Sequence, residues 1–215
     1  MNSAPQDVAR RVLDEHGRTY ADEAGIRLAD QPAALFQLLV LALLLSARIG
    51  AGIAVAAAAT LRAAGWTTAQ RMRDAPRSGV VAALGRSGYR RYDERTATRL
   101  RELATFVLEK YGGDLRRLGA AAAGDADHAA DLLQEVNGIG PTGSAVFLRE
   151  VQAVWPWLRP RLDARAVEGA RRVGLPTDVA ELAALVPPEE LARFAAGLVR
   201  VSLMRRNEDP LPVVS

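Results

Sequence analysis

The chain has 215 residues, 25% of them charged and 49% hydrophobic, which is too apolar for a disordered polypeptide and long enough to bury a sizeable core. With no cysteine it has no disulfide scaffold, no cysteine-type zinc site and no cysteine-ligated iron–sulfur cluster. The formal charge of +3 and a pI near 9.8 permit a polyanionic partner without requiring one.

Of the 28 basic residues only Lys110 is lysine. Any mechanism through a lysine imine therefore has a single candidate.

The first segment, Met1 to Arg11, is polar and lacks the basic and apolar regions of a signal peptide. Helices are expected over 6–16, 34–47, 53–64, 69–74, 80–85, 93–111, 127–136, 142–154, 164–173, 178–185 and 189–205, since Ala, Leu and Arg dominate and no alternating strand pattern occurs. Ala33 to Ala47 is a 15-residue apolar run, interrupted by Gln37 and closed by Arg48. It is shorter than the ~20 residues of a spanning helix. Together with the next apolar run, Ile49 to Leu61, it reads as one tilted membrane segment or, more simply, as two buried helices around a glycine corner. The simpler reading predicts a cytoplasmic protein, nucleoid-associated if bacterial.

Further along, Asp93 and Asp178 are candidate N-caps, Gly112-Gly113 is a stop and Pro187-Pro188 opens the last helix. The alanine-rich piece 120–130 is expected to fray near Gly124, and 207–215 to be an extended, mobile tail.

The most informative stretch is Leu132 to Leu148, LLQEVNGIGPTGSAVFL. One helix ends at Val136, the chain turns through Asn137, Gly138, Ile139 and Gly140, and a helix restarts at Pro141. The two glycines permit positive φ and close approach of a phosphate, while Ile139 can plug the turn into a core. The N–H groups of Thr142 and Gly143 lie at the positive end of the second helix. Such a site grips a phosphate without reading a base. An ordinary helix–turn–helix corner fits the same residues.

Asp163 follows some twenty residues later, in LDARAV, just before a helix that ends in RRVGLP. Upstream, FQLLVLALLLSAR (36–48) precedes GYRRYDERTA (88–97) and a long helix ending at Tyr111. Hairpin, linker, aspartate and helix in this order resemble the helix-hairpin-helix DNA glycosylase superfamily of endonuclease III, over residues 30–205. The resemblance implies an all-α, two-lobe fold with a central cleft for a flipped nucleotide. One lobe is expected over 30–140, the other from 1–29 plus 141–206, with a tail over 207–215. It further implies a base-excision repair DNA glycosylase in which the hairpin (Gly138, Ile139, Gly140, Thr142, Gly143) holds the DNA backbone and Asp163 assists cleavage. A monovalent cation on backbone carbonyls near Gln134, Val136 and Ile139 belongs to the same implication.

The departures from the family pattern narrow the chemistry. The position of the lysine in bifunctional members is Thr142, no cluster-bearing loop is present, and the usual pre-hairpin proline and wedge glutamine are Asn137 and Arg48. A monofunctional enzyme that uses water survives all of these. Glycosidic cleavage passes through a cation-like sugar, so one carboxylate can stabilise the charge and orient water. Asp163 fits that role, and it equally fits a plain N-cap.

Arg86, Arg90, Arg91, Arg95, Arg99 and Arg101, with Tyr89 and Tyr92 between them, form a basic–aromatic patch that suits phosphate contact, the pocket wall or a solvated helix face. Ser46, Tyr89, Arg90 and Tyr92 are candidate pocket or DNA contacts, and Arg48 is a candidate for the gap left by a flipped base. Trp155 and Trp157 suit packing better than base stacking. His16 and His128 are isolated, so no side-chain metal site is expected.

The reading is thus a monomeric, monofunctional DNA N-glycosylase. It acts on duplex DNA with a damaged or mispaired base, without obligatory cofactor or membrane. A non-catalytic DNA-binding or damage-sensing module of the same fold is the alternative.

Overall fold

A computed structural model describes residues 4–47, 49–89 and 93–211. Among them all regular structure is helical. In chain order the α-helices are α1 (Pro5–His16), α2 (Tyr20–Glu23), α3 (Pro32–Leu45), α4 (Ala51–Ala63), α5 (Ala69–Arg73), α6 (Arg77–Arg86) and α7 (Asp93–Tyr111). They continue with α8 (Arg116–Ala121), α9 (Ala126–Gln134), α10 (Pro141–Val151), α11 (Ala164–Arg172), α12 (Val179–Ala183) and α13 (Leu191–Leu203). Single 3₁₀ turns lie at Pro156–Leu158 and Pro188–Glu190. No helix among the described residues is long and apolar enough to cross a membrane.

The chain forms two compact units, one running from Tyr20 to Leu148 and the other combining the chain up to Thr19 with that from Arg149 onward. The division falls inside α10, several residues beyond the boundary expected at 140. The first turns of α10 stay with the earlier unit because a Cβ at Gly143 would overlap the Ser46 hydroxyl at the end of α3.

In the 20–148 unit α3 is apolar on all sides and buried at every position from Ala34 to Leu44 except Gln37, as expected of a helix with no polar face. It packs against α2, α4 and α7. The long α7 buries one stripe (Ala97, Leu100, Ala104, Val107, Tyr111) at alternating spacings of three and four, which leaves its charged face outward. In the other unit, α1, α11 and α13 share a core that includes Val12, Ala166, Phe194 and Leu198. The backbones of α11 and α13 approach closely enough that a Cβ at Gly169 would collide with the Leu198 carbonyl.

Several expectations need correction. Both α2 and α8 were absent from the sequence reading; the four residues of α2 make little more than one turn and show no period. Within the alanine-rich piece α8 ends at Ala121, Ala123 and Gly124 take positive φ, and Asp125 caps α9, so the helical run is broken beside Gly124. Helix α10 ends at Val151, three residues early, where the chain turns toward the 3₁₀ segment. Asp93 is the first residue of α7, and its carboxylate accepts the Glu94 N–H at 2.8 Å.

The tail expected to be mobile is docked as far as Leu211. Arg11 Nη2 donates to the Leu211 carbonyl at 2.6 Å, and a His16 ring nitrogen lies 2.7 Å from the Pro210 carbonyl. Leu211 also packs on the core. Polar side chains on α1 thus recruit backbone carbonyls that polar composition alone had assigned to solvent.

Candidate functional site

The hairpin joins α9 to α10 within the 20–148 unit. Asp125 caps α9 by accepting the N–H groups of Asp127 at 2.8 Å and His128 at 3.1 Å. These bonds, that of His128 first, hold its carboxyl below the usual aspartate range. After Gln134 the chain turns so that the Ile139 N–H donates to the Val136 carbonyl at 2.9 Å. Val136 and Ile139 are both buried, the latter forming the apolar plug expected of it. The Ser144 N–H bonds the Gly140 carbonyl at 3.0 Å, the first bond of α10. Among the described residues the N–H groups of Thr142 and Gly143 have no partner, and Thr142 is exposed. Of the three carbonyls considered for a monovalent cation, that of Val136 already serves the turn.

The two hairpin glycines differ. Gly138 has φ +95°, and a Cβ there would lie 2.9 Å from Leu43 Cδ1. Gly140 has no positive φ and open space where a Cβ would stand, so only Gly138 takes the conformation expected of both. Gly138→Ala is therefore expected to destabilise the fold by about 1–2 kcal/mol through backbone strain. Gly140→Ala should leave the melting temperature unchanged, its new methyl standing in open space. If the turn holds a DNA backbone, as the sequence resemblance implies, the same methyl should weaken duplex binding, and parental affinity in the folded variant would refute that role.

Neighbouring helices brace the turn. Asn137 Nδ2 donates to Glu102 Oε2 of α7 at 2.9 Å, and Lys110 of α7 is ion-paired with Glu135. Its hydrogen bond to Glu135 raises the Lys110 pKa, and the ammonium lies 5.6 Å from the ring centres of Phe106 and Tyr111. Ser46 Oγ donates to the Ala42 carbonyl at 2.7 Å and lies against Gly143. Tyr89 is interior, with the Thr96 hydroxyl donating to its own at 3.3 Å. Arg48, Arg90, Arg91 and Tyr92 fall outside the described residues.

Asp163, in the other unit, is the N-cap of α11. Its Oδ1 accepts from the N–H groups of Arg165 and Ala166, both at 3.0 Å. Its Oδ2 receives Arg149 Nη1 at 2.5 Å, from a guanidinium on the last turn of α10 whose side chain is 3% exposed. The Asp163 side chain is 16% exposed, so it is largely but not wholly withdrawn from solvent. A charge as deeply buried as that of Arg149 requires a partner, and Asp163 supplies it.

Gln152 fixes the linker that carries Asp163. Fully buried, it donates to the carbonyls of Arg149 at 2.8 Å and Arg161 at 2.9 Å, and accepts the Arg161 N–H at 2.9 Å. Arg159 in turn donates to the Gln152 and Ala153 carbonyls at 2.8 and 2.7 Å, closing the end of α10. Trp155 and Trp157 stack with ring centres 5.6 Å apart, the first buried and the second exposed.

Arg149 and Gln152 escaped the sequence reading. Their signal was there, as two of the three polar residues (with Glu150) set in the apolar run VFLREVQ, where buried polar groups demand partners. Among the described residues no three His, Cys, Asp or Glu side chains gather as a metal site would need.

No protein-family model and no curated protein matches the chain. Among solved structures, a trapped covalent intermediate of endonuclease III with DNA, an estranged-adenine complex, is similar over 92% of this chain and 85% of that one, with 17% sequence identity and a TM-score of 0.48.

Proposed function

We propose that this protein grips duplex DNA through the α9–α10 hairpin and hydrolyses the N-glycosidic bond of a damaged or mispaired base. The observation that carries the reading is Asp163, an aspartate held by two backbone N–H groups and Arg149 while its side chain keeps 16% of its surface exposed. A fixed carboxylate can stabilise the developing sugar cation and orient water, with no reorganisation at the moment of reaction. Thr142 in the family's lysine position and the ion-paired Lys110 support a route through water.

Borohydride is accordingly expected to trap no protein–DNA adduct. Imine formation needs a free amine, and the single lysine of the chain is ion-paired with Glu135 at the end of α7. An adduct that disappears in Lys110→Ala would refute this. One that persists there would assign the nucleophile to the N-terminal amine.

The same ion pair favours a second reading, a non-catalytic module that binds or senses damage in DNA, because a guanidinium on Oδ2 offsets the charge that catalysis would use. Duplexes carrying single lesions across a panel separate the two. Alkali-labile abasic product supports the enzyme; lesion-dependent binding without product supports the sensor.

A further inference from the structure

We infer that Arg99 of α7 is a phosphate-contact residue of the hairpin. The inference rests on the proposed DNA binding and deepens it by assigning a cationic side chain to that site. Arg99 lies across the turn, with its Cδ and Nε 3.4 and 3.6 Å from where a Cβ of Gly138 would stand. The arginine stem thus runs at van der Waals distance along the turn at Gly138.

The side chains around Arg99 are engaged while its guanidinium is not. Glu102, its natural i, i+3 partner on the same helix face, instead accepts from Asn137 of the hairpin. Arg101 donates to the Ala75 carbonyl at 2.9 Å, and Lys110 holds Glu135. Among the described residues no carboxylate, hydroxyl or carbonyl bonds Arg99 or Arg95.

Arg95 and Arg99 are four apart, so two like charges share one helix face, an arrangement that costs stability until an anion neutralises it. The hairpin backbone carries no side-chain charge of its own beside Gly138. Arg99 supplies one there, and a guanidinium with free donors is well matched to a phosphate diester.

The test is duplex affinity as a function of salt for the whole chain and three variants. Arg99→Met keeps an unbranched stem against Gly138 and removes the charge. Arg99→Lys keeps the charge, and Arg10→Gln removes an exposed charge from α1 as a control. Loss of one phosphate contact should lower the slope of log affinity against log salt by about 0.9 in Arg99→Met. The loss should be equal for lesion-bearing and intact duplexes. Arg99→Lys should retain most of the slope, and Arg10→Gln all of it.

A slope in folded Arg99→Met equal to that of Arg10→Gln, in a parent that binds duplex, overturns the assignment of Arg99 and leaves hairpin binding standing. Should Arg99→Met melt early, Arg99→Gln decides: a slope lowered by about 0.9 with folding intact supports the assignment, and a slope equal to that of Arg10→Gln overturns it. A parent that fails to bind duplex at all overturns both readings together.

Discussion

Asp163→Asn is expected to reduce single-turnover excision by about 10²–10⁴-fold, as when a group acting mainly in the transition state is removed. The amide can still cap α11, so from capping alone the melting temperature would hardly move. Arg149 changes that expectation. With the carboxylate gone, a guanidinium 3% exposed loses its charged partner. Leaving a buried charge unpaired costs about 3–5 kcal/mol. For a chain of this size that is a fall of roughly 6–20 °C. Rate and melting temperature must therefore be measured on the same preparations, well below the midpoint of the variant. Parental excision in folded Asp163→Asn would reduce the residue to a structural role.

Arg149→Met provides the matching half of a double-mutant cycle. It leaves Asp163 charged, capping α11 and partly hydrated, so it should cost less than Asp163→Asn, about 1–3 kcal/mol. On the proposed mechanism excision should persist in it, because the carboxylate is intact and no longer shared with a guanidinium. Combining the two substitutions should recover much of the stability lost in Asp163→Asn alone, since an apolar side chain then replaces the buried cation. Excision in the double variant should stay as low as in Asp163→Asn. A rate that instead tracked stability across all four proteins would reduce Asp163 to a structural role.

The same pair marks how far the sequence could be read. Asp163 stood out because an aspartate before a periodic helix has a local explanation, the N-cap, and the structure makes that cap with two N–H bonds. The hairpin was legible for a similar reason, since two glycines around an isoleucine, followed by proline, carry their conformational preferences within five residues. The bounds of α7 were read correctly at both ends, its buried stripe being written in the sequence over 19 residues. Failures occurred where information was short or distant. Four residues are too few to show a helical period in α2, and nothing near the C-terminus announces that Arg11 and His16, two hundred residues earlier, will hold it.

By itself, then, the sequence determined the helical class, the absence of cysteine-based cofactors, the turn between α9 and α10 and the aspartate opening α11. Each follows from composition or from interactions between residues a few positions apart. Only the tertiary structure decided that Gly138 and not Gly140 takes the strained conformation, that Arg99 lies across it, and that Arg149 neutralises Asp163. These depend on which side chains from separate helices meet in space. A buried charge selects its partner by proximity in the fold, and the order of residues along the chain carries no record of that choice.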